Sequence, residues 1–360
     1  MVWRDEMDRR TFLARVGRVG LGVVGVGSAL TLLEACAGSS PAPSGAAAVS
    51  QGIATVNVQL LWIKDVEFAG SFAAASQGYL KSAGLTQTLI PGGPQVNAIQ
   101  SVASGGAPIG LIGATDAVIQ ARANGIPVKA IATEFQSGPF GVMSLASAPI
   151  NTAGDLVGKK IGLQAGGRGP FSEILAVNAI NPDQVTVVPV GLDPTPLVTG
   201  QVDGFWSYAF NQPLSLQAKG IKTAMLLASD AGLTSYGDVI FTLDSVLQQQ
   251  EDLLVRWLRA TIQGWQYAIA HTDELAKYTV DQSPSLKLDL AQQTAQSAAQ
   301  VPFVTSALTK SKGLLWIDPA AVAKSIDLNV KTGQIKSPVK VEDVMTTTIL
   351  EKAYGGKTSL

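Results

Sequence analysis

The chain has 360 residues, 46% of them hydrophobic and only 15% charged, with a formal net charge of -1. A chain of that length and composition buries one large or two ordinary α/β cores, and its charge balance leaves no electrostatic footprint for nucleic acid. Beyond Cys36 no apolar run approaches the roughly 20 residues that a membrane-spanning helix needs, so a soluble body is expected.

The first 36 positions differ in character from the rest. Asp8-Arg9-Arg10-Thr11-Phe12-Leu13 places an arginine pair ahead of an apolar, glycine-rich segment, the order of an export signal. Arg9 and Arg10 followed by x-Phe-Leu resemble the twin-arginine signal, and Leu33-Glu34-Ala35-Cys36 resembles the lipobox of bacterial lipoproteins, whose cysteine becomes the lipidated first residue. Cys36 is the only cysteine, which excludes an intrachain disulfide. Residues 37–52, AGSSPAPSGAAAVSQG, read as a flexible tether. The expected location is outside the cytoplasmic membrane, held there by the lipid alone. Gly20-Leu-Gly22-Val-Val-Gly25 matches a dinucleotide fingerprint, but no strand precedes it and it falls within the removable signal.

From Ile53 the chain alternates short β-type runs with helices. ATVNVQLL is a strand, EFAGSFAAASQGYLKSAG a helix stopped at Gly84, and TQTLI a second strand leading into the turn Pro91-Gly92-Gly93-Pro94. Residues 104–126, SGGAPIGLIGATDAVIQARANGI, then have a gapless counterpart at 199–221, TGQVDGFWSYAFNQPLSLQAKGI. Each reads as a turn glycine, a buried strand, a polar helix start and a helix stopped by glycine. VKAIATEF follows the first copy as a strand; GKKIGLQ, a helix from Pro170 and VTVVPV precede the second, and KTAMLLA follows it. The segment Gly162-Leu-Gln-Ala-Gly166-Gly167-Arg168-Gly169 lacks the Lys-Ser/Thr pair of a phosphate loop. YGDVIFTL reads as a strand returning to the first series, and the remainder is mostly helical, with Leu253, Trp257, Leu258 and Trp265 as core packing.

Two copies in two β/α series predict a two-lobed clamshell: 53–136 plus 239–360 as lobe 1 and 137–238 as lobe 2, with parallel-rich sheets and chain crossings near 134–139 and 229–238. Ligand sites in such sheets lie at the carboxyl ends of the strands.

Trp62-x-x-x-x-Glu67-Phe68-Ala69-Gly70, Gln77-Gly78-Tyr79-Leu80-Lys81-x-Ala83-Gly84-Leu85, Pro91-Gly92-Gly93-Pro94, Val102-Ala103-Ser104-Gly105, Phe135-Gln136, Asp155-Leu156-x-Gly158-Lys159-Lys160-Ile161-Gly162 and Asn211-Gln212-Pro213 form a set. It resembles the substrate-binding lipoproteins of ABC importers for thiamine pyrimidine precursors, with flavin, sulfonate and nitrate binders as relatives. The resemblance implies a type II periplasmic-binding-protein fold, a monomer that closes on a small molecule, and delivery to a permease with a cytoplasmic ATPase. Lys64, Asp65 and Phe68 stand where the pyrimidine binders usually carry Pro, Asn and His; flavin-binding relatives more often carry Phe at the last position.

Candidate ligand contacts gather at the expected cleft. Helix starts after Gly93, at Thr115 and Asp116, after Gly167 and at Asn211 offer free backbone N–H groups. Trp62, Phe68, Phe135, Phe171, Trp206 and Tyr208 supply rings, alongside Glu67 and Gln136. Arg168 is the basic residue among the glycine turns, with Lys64 as a second; that is few cations for a strongly anionic ligand. The balance favours a planar heteroaromatic over a sulfonate or nitrate. An exported enzyme is the rival reading, a transporter-free sensor a third. The single histidine, His271, sits in a helix, and no cluster has metal-ligand spacing, so neither cofactor, metal nor catalytic role is expected.

Overall fold

The structure is a computed structural model that describes residues 53–360; Arg9, Arg10, Cys36, the signal and the tether lie outside the described residues. Among the described residues, ten strands form two five-stranded sheets. The first holds β1 (Ala54–Gln59), β2 (Leu85–Ile90), β3 (Ile109–Ile112), β4 (Val128–Phe135) and the later β10 (Gly237–Leu243). The second holds β5 (Phe140–Leu145), β6 (Lys160–Leu163), β7 (Thr186–Pro189), β8 (Gly204–Tyr208) and β9 (Thr223–Leu227).

The spatial orders are β2-β1-β3-β10-β4 and β7-β6-β8-β5-β9. Both follow one plan: three parallel strands, then an antiparallel strand brought in by a crossing, then an edge strand. The likeness seen in one 23-residue unit thus extends to the topology of each whole lobe. The chain leaves the first sheet after Phe135, enters the second at Phe140, and re-enters the first between Leu227 and Gly237. A backbone hydrogen bond from Gly138 N–H to Ser235 O (2.9 Å) ties the two crossings together.

The copies fold as matched units. The first gives β3 and the helix Thr115–Ala123; the second gives β8 and the helix Gln212–Ala218. Their helices end alike, on Gly125 at φ +81° and Gly220 at φ +76°, where a side chain would be strained. Ile126 N–H reaches Ala121 O and Ile221 N–H reaches Leu216 O, both at 3.0 Å.

Apolar side chains sort by strand alternation. In β8, Phe205 joins Met143, Val190 and Leu197 on one face, while Trp206 joins Phe140, Phe171 and Leu163 on the other. The helix Glu251–Ala270 buries Leu254, Trp257, Leu258 and Trp265 against lobe 1; Leu253, expected in that stripe, is only half-buried. The single helix expected between Glu67 and Gly84 is instead two, Ala69–Ser76 and Tyr79–Ser82, parted at Gly78, whose φ of +74° interrupts α geometry. No helix among the described residues is long and apolar enough to cross a membrane.

Candidate ligand-binding site

A cavity of about 420 Å³ opens between the lobes, within the usual range for small-molecule sites. Four helix starts converge on it, as the parallel-strand plan dictates: Gly93 to Ala98 before the helix Ala98–Ala103, Ala114 before Thr115–Ala123, Gly166, Gly167, Gly169 and Pro170 around the head of Arg168–Val177, and Asn211-Gln212. Trp62, Trp206 and Tyr208 supply aromatic wall, and Gln95, Asn97, Gln120, Asn124, Gln164 and Gln212 an amide rim. Among the described residues lining the cavity, none is Lys, Arg or His, and Glu67 is the one carboxylic acid.

The rings are held by one another. Trp206, 6% exposed, stacks on Phe140 (5.6 Å, 28°) and meets the edge of Phe171 (6.3 Å, 84°). Gly167 permits this approach, since a Cβ there would lie 2.6 Å from the indole of Trp206. Tyr208 donates its hydroxyl to Asp238 Oδ1 (2.8 Å), linking strand β8 of one lobe to β10 of the other.

Other expected candidates stand behind the wall. Phe68 is buried in the lobe 1 core, and Phe135 packs edge-on against Phe210, Tyr208 and Trp265 at the crossing. Phe171 touches the cavity only through Trp206, being itself buried in the lobe 2 core. These three rings are placed by apolar packing rather than on the cavity surface. Thr115 is buried, its N–H donating to Ser235 Oγ (3.2 Å). Gln136 is spent on structure: its N–H reaches Phe303 O (2.7 Å), its amide nitrogen Trp316 O (3.0 Å), and its oxygen accepts from Ser306 Oγ (3.1 Å). Arg168 is exposed and outside the lining, although its neighbours Gly167 and Gly169 are part of it; Lys64 lines a separate, smaller hollow. Trp62, Glu67, Gly93, Gly167, Trp206, Tyr208 and Asn211 are brought together on the cavity.

His271 lies at the break between the helices Glu251–Ala270 and Thr272–Gln282 rather than inside one helix; it is exposed, stacked on Tyr267 (3.8 Å, 8°).

Two carboxylate groupings were invisible in the sequence. Glu67, on the cavity, belongs to a buried acidic group with Asp65, Glu134 and Asp238, which lie outside the lining. Burial pushes Glu67 and Glu134 well above the usual carboxylate range, reinforced by their acidic neighbours, and raises Asp65 to about 6 and Asp238 to about 7. Trp265 Nε1–H donates to Glu134 Oε1 (2.9 Å), and Gln296 Nε2–H to Asp65 Oδ2 (3.3 Å). Asp116, expected among the ligand contacts, is instead fully buried outside the cavity lining, where from lobe 1 it faces Glu173 of lobe 2. Asp116 Oδ1 accepts from Asn329 Nδ2 (2.8 Å), and Glu173 Oε1 from Gln120 Nε2 (2.9 Å); their other oxygens have no N–H or O–H donor from elsewhere in the protein. Burial first, then the charge of Asp116, lifts Glu173 to about 9, so the pair holds one proton between the lobes near neutral pH. Ala165 N–H donating to Pro94 O (3.2 Å) and Gln334 Nε2–H to Ser172 Oγ (3.2 Å) add further bonds across the cleft.

The rim amides had a readable signal: Gln164 follows the carboxyl end of β6, and Asn97 caps the helix Ala98–Ala103, accepting from Gln100 N–H (3.1 Å). The carboxylate groupings had none, because their members come from distant segments.

Comparison with known proteins agrees with the geometry. Residues 65–275 match the family described as NMT1/THI5 like. The riboflavin-binding protein RibY of Chloroflexus aurantiacus is 26% identical over 88% of this chain and 94% of its own. A formylaminopyrimidine-binding protein of Halalkalibacterium halodurans is 23% identical over 70% of this chain and 77% of its own. Among solved structures, the periplasmic aliphatic sulphonate binding protein SsuA of Escherichia coli superposes with a TM-score of 0.58 at 15% identity, over 80% of this chain and 91% of that one. At that identity the likeness is one of fold, the periplasmic-binding-protein clamshell.

Proposed function

Since the chain belongs to the NMT1/THI5-like family of substrate-binding proteins, we propose that it is the extracytoplasmic, Cys36-lipidated binding component of an ABC importer, capturing a planar, uncharged heteroaromatic of the flavin or thiamine-pyrimidine type. The observation that carries this reading is the cavity lining: two tryptophans and a tyrosine with an amide rim, and no cationic side chain among the described lining residues. A ring stacked on such side chains gains about 1 to 3 kcal/mol, with base–aromatic stacking as the analogue. A sulfonate or nitrate buried there would face Glu67 with no counter-charge, an unfavourable exchange for lost hydration. Binding closes the lobes on the ligand and presents them to a permease. Fold alone does not carry ligand choice, so the sulfonate binders' shared architecture does not weigh against this.

A thermal-shift screen tests it, because a ligand that binds only the folded state raises stability by RT ln(1 + [L]/Kd). Riboflavin or an aminopyrimidine is expected to raise the melting temperature, and alkanesulfonates and nitrate to leave it unchanged. A shift with a sulfonate alone overturns the reading. For the anchor, Cys36→Ser is expected to release the protein from the membrane fraction, and unchanged retention removes the lipid assignment.

A further inference from the structure

Glu67 is set on the cavity by a short turn, Val66–Phe68, whose start is held by Asp65 Oδ1 accepting from Glu67 N–H (3.0 Å). Its side chain is 1% exposed, lines the cavity, and leaves Oε1 without any N–H or O–H donor from the protein. A buried carboxyl without donors is costly, and each such group in a native structure calls for a partner. No salt bridge among the described residues involves Glu67, Asp65, Glu134 or Asp238. Glu67 does have an acceptor beside it: Asp238, whose Oδ1 is already occupied by the Tyr208 hydroxyl. Burial first, then the charges of Asp238 and Asp65, hold the Glu67 carboxyl well above the usual range, with Asp238 as the acid that its proton is shared with. With that proton engaged, Glu67 offers the cavity only lone pairs. The partner it lacks must therefore be a donor.

We propose that Glu67 is the specificity-determining residue of the cavity, accepting a hydrogen bond from a ring N–H or exocyclic amino group of the ligand, so that the site selects N–H-edged heterocycles and rejects anions. This rests on the heteroaromatic reading above and narrows it. An imide edge and an aminopyrimidine edge both satisfy the requirement, whereas a ring whose edge offers only acceptors would set lone pair against lone pair.

The test uses the mature chain and two matched probe pairs: riboflavin with 3-methylriboflavin, and 4-amino-2-methylpyrimidine with its 4-dimethylamino analogue. Methylation removes the donor and leaves the ring face intact. Whichever parent compound binds the wild type should bind roughly 10- to 100-fold more tightly than its methylated partner, the range set by one unsatisfied buried polar group. Glu67→Leu should lose that discrimination. Glu67→Gln should keep it, because the amide can donate to Asp238 and still turn its carbonyl to the ligand. If the wild type binds parent and methylated compounds equally, this inference falls while the heteroaromatic reading stands. If neither ring system binds at all, both fall together. Should Glu67→Leu fail to fold, the wild-type pair and Glu67→Gln still decide.

Discussion

Residues 104–126 and 199–221 share a turn glycine, a buried strand and a helix closed on a left-handed glycine, yet the link between strand and helix differs. In the first copy it is Gly113-Ala114-Thr115-Asp116; in the second the aromatic run Trp206 to Phe210 leads into Asn211. Each link crosses to the opposite lobe. Ala114 packs into the core of lobe 2, and Phe210 into the core of lobe 1, against Phe135 (5.4 Å) and Phe303 (5.6 Å). One copy contributes little volume and a buried acid; the other contributes the rings. The scaffold is thus set by what the copies share, and the cavity by where they part.

That contrast can be broken most severely at Phe210. Phe210→Ala should cost about 3 to 5 kcal/mol in chemical denaturation, the usual penalty for emptying a packed aromatic site. Thr115→Ala, at the equivalent position of the first copy, should cost about 1 kcal/mol or less, its backbone bond to Ser235 surviving. Equal costs would show that the links are interchangeable packing.

Trp206→Ala should weaken ligand binding by roughly 10- to 100-fold in calorimetry. Its indole also stacks on Phe140, so the melting temperature should drop as well. Unchanged affinity would return the ring to the core and remove the aromatic wall.

The shared part can be probed through the caps. Gly125→Ala and Gly220→Ala should each cost about 1 kcal/mol, within a few tenths of each other, because both force a side chain to positive φ. A large disparity would mean that the helix ends are not equivalent.

The smallest effect concerns the acid of the first copy. Glu173, partnered with Asp116, titrates above its ordinary range when folded, so its contribution to stability is complete below about 4.5 and is lost as pH rises toward about 9. Glu173→Gln, which mimics the protonated acid, should leave the melting temperature unchanged at pH 5 and raise it by about 2 to 4 °C at pH 8. A parallel pair of pH profiles would dismiss the shared proton.

The architecture was readable because it repeats: a pattern of strand, glycine and helix survives in one dimension. Which rings meet the cavity was not. Phe68, Phe135 and Phe171 have the same composition and spacing cues as Trp62, Trp206 and Tyr208, and only the packing of distant elements separates core from wall. Arg168 follows glycine in a helix start, but its glycine neighbours line the cavity while Arg168 itself is exposed and lies outside the lining. Glu134 with Asp238, and Asp116 with Glu173, are neighbours only once the chain has crossed between sheets.

The pair at the cleft also gives closure a stoichiometry. Parted and hydrated, Asp116 and Glu173 are ordinary carboxylates, both ionised at neutral pH; brought together they retain one proton. If opening the lobes parts and hydrates both acids, shutting them should draw about one hydrogen ion from the medium for each ligand enclosed. Heats of binding measured in phosphate and in Tris should differ by the ionisation heats of those buffers, and identical heats would mean that the two acids stay together when the lobes open. At mildly acidic pH, the same ligand should be gripped more firmly than in neutral buffer.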